Sequence, residues 1–141
     1  MRIYAKIVGD LMHLGHVRFF QAAQSLGSHL TVCIVPDERA ARWKRPPIMT
    51  TAERMEVVAS CRYVDAVICD GPKATTLAFM RERGFQIYAF GAKDDAELRE
   101  KLADCPDLPE DMRRRIGYTH GISSSDIISR IRSRFDAAFV G

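Results

Sequence analysis

The chain has 141 residues, 47% of them apolar and 28% charged, the proportions of a single soluble globular domain large enough for a core. It carries 21 basic and 18 acidic side chains, a net charge of +3 with acids interspersed throughout, so no large nucleic-acid footprint is implied. No apolar run reaches membrane-spanning length and no signal peptide leads the chain, which makes a reducing cytoplasm the expected compartment.

In chain order, Arg2 to Gly9 read as a first strand, because Ile3, Ala5 and Ile7 alternate with polar or mixed positions. Leu14 to Gly27 read as a helix: Val17, Phe20, Ala23 (or Gln24) and Leu26 recur near helical spacing, and Gly27 stands where a left-handed stop is expected. His29 to Val35 is apolar and β-branched, a buried strand, and Val64 to Asp70 and Phe85 to Gly91 repeat the style. Cys33 and Cys69 fall inside these runs and read as core thiols; with Cys61 and Cys105 they show no C-x-x-C spacing, which argues against zinc and against a disulfide framework.

Between the strands, Thr50 with Glu53 three residues on is a capping box that opens a helix towards Cys61. Lys73 to Gly84 is a further helix, and Ser123 to Phe135 a last one with Ile127, Ile128 and Ile131 on one face. Asp104 to Arg115 is the least regular part and reads as a surface excursion with its triple arginine solvated. A short fifth strand falls near Ile116 to Tyr118. Strands alternating with connections too long for hairpins predict a single α/β domain, a Rossmann-like doubly wound parallel sheet covered on both faces. The chain stops at Asp136 to Gly141 without a polar tail, as a piece of a longer polypeptide would.

In such a sheet, ligands sit at the carboxyl ends of the strands. The stretch GDLMHLGH, Gly9 to His16, lies there, with His13 and His16 three apart on one face of a helix start. Gly15 has no side chain to keep a phosphate from the backbone, and the helix N-terminus adds N–H donors and partial positive charge. These residues describe a pocket for a phosphate chain with two imidazoles as donors. The plain alternative is a pair of core or surface histidines beside an ordinary glycine turn.

HLGH resembles the H-x-G-H motif of the nucleotidyltransferase superfamily. GDLMHLGHVRFF, with Asp10 three before the first histidine, resembles the cytidylyltransferases within it, glycerol-3-phosphate cytidylyltransferase among them. Gly121 to Ser125, GISSS, resembles the element that opens the last helix in that family, and Glu53–Arg54 ahead of Tyr63 to Asp65 matches its helix and following strand. The likeness runs from Ile3 to Arg132. It implies one cytidylyltransferase domain over residues 1–141, whole or part of a longer chain. The implied reaction is attack by an acceptor phosphate or phosphonate oxygen on the α-phosphorus of CTP, with loss of pyrophosphate and no covalent enzyme intermediate. Magnesium, held mostly by phosphate and water, and a homodimer are implied as well.

The resemblance also assigns roles. His13 and His16 would hydrogen-bond the triphosphate, and near phosphate oxygens their pKa would rise. Val8, Gly9, Asp10 and Gly15 would line the nucleotide, Gly91 and Ala92 would let the base approach, and Gly121, Ile122, Ser123, Ser124 and Ser125 would hold phosphates. Plain N-capping is the other reading of the serines. Arg54 would contact phosphate or form a surface ion pair. Lys44 or Arg45, in a register uncertain by one, would clamp phosphate from a loop stiffened by Pro46 and Pro47. Trp43 would pack on substrate or cover apolar surface. Lys6 would point at the acceptor or at solvent, and Lys93 and Tyr118 would face the acceptor.

Three departures stand out. Val8 replaces a usual threonine. Tyr118 stands where an arginine is usual, leaving that contact to another residue such as Arg115. GAKDD, Gly91 to Asp95, lacks the acidic pair directly after the glycine. They point away from glycerol 3-phosphate and towards a small phosphonate. The chain resembles the cytidylyltransferase domain of the fosfomycin-type pathway, and that resemblance implies 2-hydroxyethylphosphonate as the acceptor. Phosphoethanolamine and glycerol 3-phosphate are the alternative acceptors. An adenylyltransferase of cofactor synthesis and a non-catalytic nucleotide-binding module are the rival readings.

Overall fold

In the computed structural model, residues 1–41 and 45–140 are described, with side chains to residue 137. Five strands form one sheet: β1 (Arg2–Ile7), β2 (His29–Ile34), β3 (Ala66–Ile68), β4 (Ile87–Gly91) and β5 (Arg113–Ile116). Their order across the sheet is β3-β2-β1-β4-β5, and every neighbouring pair is parallel. The helices are α1 (Leu14–Gln24), α2 (Asp37–Ala40), α3 (Thr51–Ala59), α4 (Leu77–Arg83), α5 (Asp95–Ala103) and α6 (Ser124–Val140). This is the single-domain, doubly wound α/β fold that the strand–helix alternation predicts.

Parallel strands need crossovers, and the crossovers cover both faces. On one face Ile3 and Ala5 of β1 join Leu30, Val32, Ile34, Ile87, Ala89 and Ile116 beneath Phe20 and Ala23 of α1 and Val58 of α3. On the other face Tyr4, Cys33, Tyr88 and Phe90 pack under Phe79 and Met80 of α4, with Leu98 and Leu102 of α5 against them. The alternation of Ile3, Tyr4 and Ala5 between the two cores is the period-two geometry of a strand buried on both sides. Sequence order reverses between β1 and β4, which opens a crevice outside their carboxyl ends.

Several elements differ from the sequence reading. Thr76 caps α4, so that helix begins at Leu77 rather than Lys73, and Gly84 ends it in the left-handed conformation. α1 stops at Gln24 with Ser25 as its C-cap. Gly27 is glycine for a different reason than a left-handed stop: a β-carbon there would lie 2.3 Å from the carbonyl oxygen of Met1. Helices α2 and α5 are additions, and α5 occupies a segment whose polar composition hides the partly buried Leu98 and Leu102. The triple arginine is not a surface excursion but most of β5, an edge strand paired to β4. Ahead of it, Cys105 and Leu108 are buried in the second core. Cys33 is buried as expected, whereas Cys69 is exposed, because β3 has ended at Ile68. Among the described residues no helix is long and apolar enough to cross a membrane.

Candidate active site

The turn from β1 to α1 is built around strained and glycine positions. Gly9 has φ +71° and is packed against Ile34 and Ile7, and Leu11 adopts φ 48°, a region a non-glycine residue enters only when its surroundings hold it there. His13 is the N-cap of α1. Its Nδ1 accepts the N–H of Gly15 at 3.0 Å, and Nδ1 of His16 accepts the N–H of His13 at 3.1 Å. The two imidazoles therefore cap the helix reciprocally, as Ser and Glu do in an ordinary capping box. The ring centroids are 4.0 Å apart. Gly15 is required here: a β-carbon would fall 2.8 Å from Cε1 of His13 and displace the ring.

That arrangement fixes the tautomers. A ring whose Nδ1 accepts a backbone N–H carries its proton on Nε2, so each histidine presents one Nε2–H donor. Burial, then the neighbouring His13 ring, pushes His16 down to about 4 against a small opposing pull from Asp10. Burial also lowers His13, opposed by Asp126. The protein by itself thus favours neutral rings, opposite to the rise expected near phosphate oxygens. A doubly protonated ring would give up its capping bond.

The start of α6 lies against this turn. Ser124 Oγ donates to the carbonyl oxygen of Asp10 at 2.7 Å. Ile122 reaches to 3.7 Å from the β-position of Gly15. Gly121 turns the chain at φ +84°, and its carbonyl accepts from Arg130. Ser123 Oγ accepts the N–H of Asp126, so the capping reading of that serine holds. Arg45 Nη1 lies 3.4 Å from Ser125 Oγ, which brings the loop before α3 to the same place. Lys44 and Trp43 lie outside the described residues.

Two side chains tie these segments from beneath. Asp10 is buried, and its carboxylate accepts the N–H of Ile48 at 2.9 Å and of Met49 at 3.0 Å. Arg54 is 0% exposed and donates to the carbonyls of Val8, Val35 and Met49, to Asp37 Oδ1 and to Thr51 Oγ1. It is therefore neither a surface ion pair nor, as placed, a phosphate contact, because its donors are taken by protein groups. Its hydrogen bond holds the Asp37 carboxyl below the usual carboxylate range.

The remaining residues line the rim or fall elsewhere. Ala92 is buried after β4, and its carbonyl accepts Arg115 Nη2 at 2.9 Å. Next to it a β-carbon at Gly91 would make only an ordinary contact with Phe19. Lys93 is exposed. Tyr118 is exposed and packs edge-to-face on His120, with centroids 5.0 Å apart. Lys6 corrects both expectations. Its side chain is 6% exposed, and Nζ is paired with Asp104 and hydrogen-bonded to the carbonyl of Lys73 on the α4–α5 face. Among the described residues no cluster of three or more His, Cys, Asp or Glu is placed to hold a metal ion. Both Asp10 oxygens accept amides.

Sequence reasoning missed Asp37, His120 and the amides of Ile48 and Met49. Their only sequence signals are an acid directly after Pro36 and an aromatic two residues from Tyr118.

Comparison with known proteins gives a family and a fold. The profile of the family described as cytidylyltransferase-like matches residues 10–130. The ethanolamine-phosphate cytidylyltransferase of Arabidopsis thaliana is 35% identical over 135 residues, 93% of this chain and 32% of that protein. The FAD synthase of Pyrococcus abyssi is 32% identical over 140 residues, 96% of this chain and 95% of that protein. The chain thus spans about a third of the first relative and nearly all of the second. The crystal structure of the lipopolysaccharide core biosynthesis protein from Thermoplasma volcanium superposes with a TM-score of 0.62 at 24% identity. It covers 84% of this chain and 96% of that one, a likeness of fold.

Proposed function

The chain belongs to the cytidylyltransferase-like family, and from that premise we propose that it transfers the cytidylyl group of CTP to a small phosphate-bearing acceptor. An acceptor oxygen attacks the α-phosphorus, the bond to the β-phosphate bridging oxygen breaks, and pyrophosphate leaves with that electron pair. The observation that carries the reading is the bond from Ser124 Oγ to the Asp10 carbonyl, which sets the start of α6 against the histidine turn. Two helix N-termini and two Nε2–H groups then face one polyanion.

The residues act by placement and charge stabilisation. His13 and His16 donate from Nε2 to the triphosphate as negative charge moves towards the leaving group. The first-turn amides of Ser124 and Ser125 are those a helix leaves without intrahelical partners, and they receive the outer phosphates. Arg45 adds charge from the loop. Gly91 and Ala92 leave room for the base, and Lys93 and Tyr118 stand on the acceptor side. Magnesium bound to the triphosphate would neutralise charge on the departing pyrophosphate.

The ethanolamine-phosphate relative favours a phosphate ester such as phosphoethanolamine over 2-hydroxyethylphosphonate as acceptor. A second reading, adenylyl transfer, is favoured by the end-to-end match to an FAD synthase. Pyrophosphate release decides between them. The protein is mixed with CTP or ATP, each with phosphoethanolamine, 2-hydroxyethylphosphonate, glycerol 3-phosphate or flavin mononucleotide, and products are weighed by mass spectrometry. CTP with phosphoethanolamine is the expected pair. Turnover with ATP and flavin mononucleotide alone would replace the cytidylyl reading with the adenylyl one.

A further inference from the structure

Among the described residues, Arg54 is the largest side chain fully removed from solvent. Nε donates to Met49 O at 3.1 Å. Nη1 donates to Val8 O at 2.6 Å and Val35 O at 2.7 Å. Nη2 donates to Asp37 Oδ1 at 2.6 Å and Thr51 Oγ1 at 3.3 Å. A guanidinium has five N–H donors in one rigid plane, so these partners account for the whole set. They come from the residue after β1, the residue after β2, the first residue of α2, the loop before α3 and the first residue of α3.

The tie continues into the site. Val8 precedes Gly9 and Asp10, and Asp10 accepts from Ile48 and Met49 while its carbonyl accepts from Ser124. Met49 is held at both ends, by Asp10 at its N–H and by Arg54 at its carbonyl. A shift of the guanidinium plane therefore moves the turn that carries the histidines together with the loop that carries Arg45. Taking a phosphate would require Arg54 to release the carbonyls of Val8, Val35 and Met49, of which Val35 is buried and the other two are part-buried, which is costly.

We infer that Arg54 is a positioning residue of the transfer reaction: it sets the Val8–Asp10 turn and the Ile48–Met49 loop and does not touch the nucleotide. This rests on the transfer reading above. The side-chain ¹⁵N and ¹H signals of Arg54, assigned through its backbone in the wild-type protein, should stay in place on saturation with CTP while the histidine ring signals move. Arg54→Lys keeps the charge but offers three donors from a point. It should lower kcat by about 10- to 100-fold, the cost of a small misplacement, and leave the CTP dissociation constant within about threefold. Thr51→Val removes one acceptor and leaves Arg54 in place; it should lower kcat by a smaller factor with CTP affinity unchanged.

A downfield shift of the Arg54 Nη protons on adding CTP, or an Arg54→Lys protein that loses CTP affinity at full kcat, would make Arg54 a phosphate ligand. Normal kcat and affinity in both variants would make it a purely structural residue. Either result overturns the inference and leaves the transfer reading standing. Wild-type protein that binds neither CTP nor ATP overturns that reading first.

Discussion

At the residue scale, the histidine pair combines two tasks in one geometry. Each Nδ1 caps the helix, and each Nε2–H is directed away from it. His16→Ala should lower kcat by about 10²–10³, the usual effect of losing one well-aimed donor to developing charge. Steady-state pyrophosphate release measures it. The same burial makes a prediction for stability. The His16 pKa falls from 6.5 to about 4 on folding, so between those values the unfolded chain binds a proton that the folded one refuses. The stabilisation is full above pH 6.5 and is lost as pH falls towards 4, a change of about 3 kcal/mol for this group. Urea unfolding of wild type and His16→Gln at about pH 7.5 and about pH 4.5 should show a smaller loss in the variant. The histidines and Gly15 were legible because their relation is local, within one turn. Arg54 was legible only as a basic residue on a helix, because its partners Val8 and Val35 lie just beyond the ends of β1 and β2, far from it in sequence.

At the element scale, helix ends show which features the chain encodes nearby. Thr50 accepts the N–H of Glu53 at 3.2 Å and Glu53 accepts the N–H of Thr50 at 2.9 Å, the capping box that the spacing predicts. Thr50→Ala should cost about 1 kcal/mol of stability, read as a lowered urea midpoint, with little change in turnover. Ser124→Ala at α6 should behave differently. It removes a bond between segments 114 residues apart, so kcat should fall along with a loss of stability of about 1 kcal/mol. Equal turnover in the two variants would mean that α6 is not held to the histidine turn by this bond. α5 and β5 were hidden for a shared reason. A short edge strand of three arginines and a helix with a polar surface bury too little to show an apolar period, and pairing with β4 or packing on the sheet supplies what the pattern lacks.

At the scale of the whole molecule, the site exists because the sheet order brings early and late segments to one edge. A nucleotide that bridges them should stabilise the fold as a unit. CTP at about one hundred times its dissociation constant should add about 2.7 kcal/mol and raise the unfolding temperature in proportion. A rise of equal size in His16→Ala would place the nucleotide elsewhere. Lys6 shows the converse: a lysine on the strand that leads into the motif is held on the opposite face by Asp104, 98 residues away.

By itself the sequence determined the features that depend on neighbours along the chain. These are the alternation of strand and helix, the parallel sheet that follows from long crossovers, the Thr50–Glu53 capping box, and the glycine–histidine turn at a strand's carboxyl end. Each is fixed by φ/ψ preference or hydrophobic period over a few residues. The tertiary structure alone decided which polar groups meet: Arg54 with two strand ends, Asp10 with the Ile48 and Met49 amides, Ser124 with Asp10, and Lys6 with Asp104. A hydrogen bond requires two groups within about 3 Å at a favourable angle, and for segments distant in sequence only the packed sheet sets that distance.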